Sequence, residues 1–166
     1  MTLTIKTKLR FAFLGMAGLF IAFGLLALNR MDVLNSKSTE IQDNWMPSIV
    51  VTTAISKRTG DYRLAEMSHV LSTDSAEMDR FEKDQERLVK EIVDLRTKYE
   101  QLISSPEERA IYQQFSAKYE QYLEASKQTL ALSRQNENTA PQVKQSGSLF
   151  EEFRSDLGKL VKLNQD

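Results

Sequence analysis

Arg58 and Arg63 stand five residues apart, which places them about 140° apart on a helix, flanking one seam from either side. Along the same stretch Thr52, Ser56, Thr59 and Glu66 take positions where a packed seam wants Leu, with Tyr62 among them. A later stretch repeats the pattern with Ser126, Thr129, Ser133 and Arg134, and Thr139 and Gln142 open the segment after it. A guanidinium offers a planar pair of donors that matches a carboxylate in a partly desolvated site. The set Arg58, Tyr62, Arg63, Arg134, Thr139 and Gln142 is therefore the candidate binding site for a small organic anion. A di- or tricarboxylate or an acidic amino acid fits best, with an aromatic acid next because of Tyr62. The alternative at Arg58 and Arg63 is a solvated side chain, or one paired with Asp61 or Glu66.

Other chemistries lack their residues. The 166-residue chain has no Cys and one His, so thiol nucleophiles, zinc ribbons and histidine pairs are absent. No base, nucleophile or metal constellation survives the residue count, and the expectation is a non-enzyme with no cofactor and no metal site. With 22 Lys+Arg against 23 Asp+Glu there is no basic excess, so no nucleic-acid partner is expected. Six Gly and three Pro are too few for the turns of a sheet-rich fold, which points to an all-α chain.

The elements that hold these residues begin with Phe11–Leu28, eighteen residues without a charge. At ~1.5 Å per residue they span roughly 27 Å, close to the ~30 Å hydrocarbon core of a bilayer. Lys6, Lys8 and Arg10 precede them, so the positive-inside rule predicts a cytoplasmic tail over 1–8, a membrane helix over 9–29 and an external domain over 30–166. The flank Leu26-Ala27-Leu28-Asn29-Arg30 carries no small-x-small cleavage site, which favours an anchor over a signal peptide.

Heptad spacing runs through Met78, Phe81, Gln85, Leu88, Ile92, Leu95, Tyr99 and Leu102, with Gln85 alone breaking the apolar seam. Ser105-Pro106-Glu107-Glu108 reads as a capping box that starts a helix, Asp74 with Glu77 as another start, and Thr139 with Gln142 as a third. Pro47 should kink or restart the first helix. Helices over about 30–72, 75–103, 106–135 and 140–166 predict an antiparallel up-down-up-down four-helix bundle, continuous with the membrane helix. Residues 30–46 form a stalk. The turns at 72–75 and 136–140 lie at the membrane-distal end. The fourth helix heads back to a membrane it does not reach by residue 166, as expected of a piece of a longer protein.

The order of these pieces resembles a family. A basic tail, a first membrane helix and an Asn-Trp-x-Pro-Ser pattern at Asn44, Trp45, Pro47 and Ser48 look like the start of the four-helix-bundle sensor of bacterial methyl-accepting chemotaxis proteins. The Arg58, Tyr62, Arg63, Glu66 run and the Ser105–Phe115 helix opening, followed by Tyr119 and Tyr122, are similar to it as well. The resemblance implies a periplasmic sensor in the bacterial inner membrane, acting as a homodimer that binds small polar ligands near its distal end and reports to chemotaxis kinase control. The same sensor also fronts histidine kinases and cyclic-nucleotide enzymes, and a membrane-anchored coiled-coil scaffold is the rival of another class.

Four further expectations follow from the spacing. Ile41, Ser48, Ile55 and Tyr62 should form the dimer face. Tyr112, Phe115, Tyr119 and Tyr122 should pack on Phe150 and Phe153. His69 is expected at the surface or in the seam rather than as a ligand. Glu82 to Arg87 reads as a solvated face carrying local ion pairs.

Overall fold

The computed structural model describes residues 4–165, so residues 1–3 of the expected tail and residue 166 lie outside the described residues. The chain is all helical, with no strand among the described residues, and divides into two compact units between Asp43 and Asn44. Helix α1, Ile5–Glu40, makes up nearly all of the first unit. Its Phe11, Leu14, Phe20, Phe23 and Leu26 are 60–71% exposed, and the helix is long and apolar enough to cross a bilayer. A π-helical segment, Ile41–Trp45, precedes Pro47, where the proline predicts an interruption.

The second unit is a four-helix bundle of α2 (Met46–Leu71), α3 (Ser75–Leu102), α4 (Pro106–Arg134) and α5 (Ala140–Leu163). Helix α2 packs on α3, α4 packs on α5, and α2 also touches α5 and α4. Asp74 caps α3 by accepting from the Ala76 amide at 2.7 Å. Ser105 caps α4 by accepting from the Glu108 amide at 3.1 Å, the first half of the expected capping box, while the Glu108 carboxylate takes the Ser104 amide at 2.9 Å in place of that of Ser105. Asn44 donates through Nδ2 to the Leu102 carbonyl at 2.7 Å, satisfying one of the carbonyls left open at the end of α3. Helix α4 stops at Asn136, whose φ of 54° lets the Glu137 amide reach back to the Leu132 carbonyl at 3.0 Å.

The core is aromatic. Phe115, Tyr119 and Tyr122 of α4 meet Phe153 of α5 with centroids 5.4–6.0 Å apart, and Phe150 lies 5.2 Å from Phe153. Each such pair is worth ~0.5–1.5 kcal/mol beyond its buried area. The polar seam residues Thr52, Thr59 and Thr129 are buried and donate to carbonyls of their own helices, Ser48, Ser56 and Ala125, at 2.7–3.0 Å. Back-bonding of this kind lets a hydroxyl sit in a core without an outside partner.

Two expectations fail. Thr139 does not cap α5: at φ −89°, ψ −10° its backbone is helical, and Asn138 accepts from the Ala140 amide instead, at 3.1 Å. A capping side chain reaches its amide only from an extended residue. The second concerns Ser48, Ile55 and Tyr62, which are buried inside the bundle at 0–4% exposure and so cannot be a dimer face. They continue the inward row of Thr52, Thr59, Glu66 and His69, and a helix has one inward row. The outward row of α2 carries three exposed apolar side chains, Val50, Leu64 and Leu71, at 61%, 68% and 82% exposure, with Lys57 in the same row.

Candidate ligand-binding region of the bundle

At the end of the bundle carrying the 72–74 and 135–139 turns, the inward rows change from aromatic to polar and charged. Glu66 of α2 is fully buried, and a buried carboxylate must be paired. It accepts from Arg63 Nη1 at 2.9 Å, Tyr122 OH at 2.7 Å and Ser146 Oγ at 3.1 Å. Arg63 Nη1 also reaches Ser146 Oγ at 2.6 Å, and Nη2 reaches the Val143 carbonyl at 3.2 Å. Gly147 makes room for this arginine, since a Cβ there would stand 3.1 Å from Nη2. Burial pushes the Tyr122 hydroxyl well above its ordinary range, and the neighbouring Glu66 charge adds to it, so it stays a donor.

A second set ties α2 and α4 to the start of α3. His69, fully buried, places Nδ1 3.1 Å from Ser133 Oγ and Nε2 2.9 Å from Glu82 Oε1. Arg134 donates from Nε to the same Glu82 oxygen at 2.7 Å, from Nη1 to Ser75 Oγ at 3.3 Å, and from Nη2 to Asp79. The Arg134 hydrogen bond holds the Glu82 carboxyl below its usual range, against partial burial and with help from His69. Glu82 is thus a tie between helices rather than part of the solvated face its sequence run predicts.

The candidate residues split between two sides of α2. Arg63 turns to α5, where it meets the backbone next to Gln142, whose buried Oε1 has no partner. Tyr62 is 4% exposed, accepts from Ser126 Oγ at 3.2 Å and sets its ring edge-on to Tyr122. Arg58 and Arg134 turn to α3: Arg58 meets Glu91 at 2.8 Å and Asp61 at 3.3 Å. Thr139 is half-buried in the turn before α5. Each arginine has a carboxylate partner within the chain, which for Arg58 and Arg63 is the alternative weighed from the sequence.

Sequence reasoning missed Ser146, which sits between Arg63 and Glu66, and the weight of Gln85. Gln85 is 4% exposed, and neither its amide oxygen nor its nitrogen has a partner. Each such group costs ~1–3 kcal/mol to leave unpaired. Its signal was the one break in an otherwise apolar heptad seam. Gln85 lines a cleft of about 470 Å³ shared by α2, α3 and α4, with Tyr62, Val89 and Leu130 as apolar walls and Glu82, Glu86, Lys90 and Lys127 around them. A second groove of about 450 Å³ runs between α4 and α5 and is lined mainly by Gln and Glu side chains. Among the described residues no cluster of His, Asp and Glu is placed to hold a metal ion.

The family model described as a four helix bundle sensory module for signal transduction matches residues 2–166. YvaQ of Bacillus subtilis (strain 168), a protein that carries the name of a sensory transducer, is 25% identical over 168 residues. That match takes in 100% of this chain and 30% of the relative, so the chain spans under a third of the relative's length. Among solved structures, the periplasmic sensor domain of a sensor histidine kinase superposes with a TM-score of 0.62 at 16% identity, covering 72% of this chain and 81% of that one. At that identity the likeness is one of fold.

Proposed function

The chain belongs to the family of four-helix-bundle sensory modules for signal transduction, and on that premise we propose that it is the ligand-sensing region of a transmembrane chemoreceptor. Helix α1 anchors it in the bacterial plasma membrane, crossing once, and residues after 30 stand outside the cytoplasm. The bundle binds a small organic acid, a di- or tricarboxylate or an acidic amino acid, and the signal controls a chemotaxis kinase through segments of the kind that extend the longer relative. Similarity over the whole of this chain to part of a protein with a transducer's name favours a chemoreceptor over a histidine kinase, for which the support is fold alone.

One observation carries the acid reading. Arg63 commits Nη1 to buried Glu66 but gives Nη2 only a backbone carbonyl, at 3.2 Å, and its side chain is 17% exposed. A ligand carboxylate is a stronger acceptor than a carbonyl for that second nitrogen. Gln142, whose unpaired Oε1 is an acceptor, takes a donor of the ligand such as the ammonium group of an acidic amino acid. Arg58, Tyr62, Arg134 and Thr139 complete the set proposed from the sequence, with Arg58 and Arg134 on the α3 side of α2. Dimerisation uses the outward row of α2, Val50, Leu64 and Leu71, against the same row of a second copy.

The test is calorimetric titration of the full chain in nanodiscs against a panel of dicarboxylates, tricarboxylates and acidic amino acids. Binding of one of them, weakened roughly 10–150-fold by Arg63→Ala, is the expected result. Equal binding by Arg58→Ala, Arg63→Ala and Arg134→Ala sinks the arginine site, and binding of sugars or amines alone sinks the acid reading.

A further inference from the structure

Helices α3 and α4 are joined by charged bridges at two levels, with a cleft between those levels. At one level Arg134 meets Glu82 at 2.7 Å; at the other Arg96 meets Glu120 at 2.6 Å. On α3 the two levels, Glu82 and Arg96, are separated by roughly 21 Å of helix. The 470 Å³ cleft opens inside that frame, a volume in the range of small-molecule sites.

Its chemistry is graded from floor to rim. Gln85 lies in the buried part with both amide atoms unpartnered. Tyr62, Val89 and Leu130 give apolar walls. Lys90 and Lys127 stand exposed at the rim, without a carboxylate partner among the described residues. Two acids line the cleft as well, but Glu82 is already bonded to Arg134 and His69, which leaves Glu86 against two lysines. A carboxamide carries donor and acceptor side by side, so its complement is another primary amide or a lactam, which answers both at once.

We propose that the α3–α4 cleft is a second ligand site, taking an aromatic acid that carries a primary carboxamide or lactam opposite its carboxylate. The amide pairs with Gln85, the ring lies between Tyr62, Val89 and Leu130, and the carboxylate meets Lys90 and Lys127. This site shares Tyr62 with the set proposed for the organic acid, and its Glu82 holds Arg134, but its polar anchors Gln85, Lys90 and Lys127 are outside that set, so it does not rest on the organic-acid reading.

The probe is 4-carbamoylbenzoate, titrated calorimetrically into the full chain in nanodiscs beside benzoate and benzamide, each of which lacks one of its two polar groups. The expected result is measurable binding of the probe, with both truncated acids or amides at least 10-fold weaker. Gln85→Leu weakens the probe at least 10-fold, to the level of benzoate, and Lys127→Ala, at an exposed position that cannot disturb the core, weakens it 3–10-fold. Circular dichroism confirms that both variants are folded. Absence of binding by the wild-type chain at millimolar probe overturns the proposal, as does undiminished binding by Gln85→Leu. Loss of probe binding in Arg63→Ala with retention in Gln85→Leu also overturns it, and leaves the acid-binding arginine site standing.

Discussion

Tyr122 of α4 donates to Glu66 of α2 at 2.7 Å, a bond between two fully buried side chains on helices that are not sequence neighbours. It fixes the relative register of α2 and α4, and Ser146 adds α5 to the same carboxylate. Tyr122→Phe keeps the ring packing and removes one donor, so it should cost ~1–2 kcal/mol. Glu66→Ala leaves Arg63 and Tyr122 without their acceptor and should cost more, ~3–5 kcal/mol. Denaturant titration followed by circular dichroism reads both. A smaller loss for Glu66→Ala than for Tyr122→Phe contradicts the arrangement.

Asp156 makes stability depend on acid. Its carboxylate is fully buried, which pushes its pKa up, yet Lys118 and Lys159, each 2.7 Å away, outweigh burial and hold it below the ordinary value. A group with a depressed folded pKa stabilises the fold above its unfolded pKa, and that contribution is lost as pH falls through the folded value. The Asp156 contribution should therefore be complete above about pH 5 and fall away below about pH 4. Melting curves across that range should show a shallower drop in Asp156→Asn; an unchanged acid limb removes Asp156 as its cause.

Gln85→Leu removes two unpaired polar atoms from the core and restores the heptad pattern of α3. The variant should be more stable by ~1–3 kcal/mol. A destabilised Gln85→Leu means that the amide has partners in solution.

Leu64 is 68% exposed at the middle of the outward row of α2. Leu64→Lys should shift the full chain in detergent from dimer to monomer, read by multi-angle light scattering, with unchanged helical content. Retained dimer in this variant, and in Val50→Lys, moves the interface to another face.

The fold was legible because its signals are local. Heptad spacing placed α3 within a residue of its end, and Ser105 with Glu108 marked the start of α4. The aromatic contacts of Phe115 and Tyr119 with Phe153 followed from helical spacing alone. The site was legible only as composition. That the 52–69 stretch is polar is written in the sequence, but the direction each side chain takes depends on three-dimensional neighbours. Arg63 and Arg134 both stand near the same end, and only packing sends one to α5 and the other to α3. The inward row of α2 was misjudged as a dimer face because polarity hid it: Ser48 and Thr59 are buried, whereas Leu64 and Leu71 are not. Thr139 carried the right residue type for a cap, and its backbone conformation, which no pattern encodes, decided otherwise.

The threonine seam has a mechanical corollary. Thr52, Thr59 and Thr129 spend their hydroxyls on carbonyls of their own helices rather than on the facing one. Axial slip of α2 against α4 is resisted by discrete latches, the Tyr62–Ser126, Glu66–Tyr122 and His69–Ser133 contacts, each about one turn from the next along α2. Friction is thus concentrated in a short section of the bundle. Whatever perturbs Arg63 acts on the latch itself, where a fraction of an ångström is felt, rather than on the smooth track beside it.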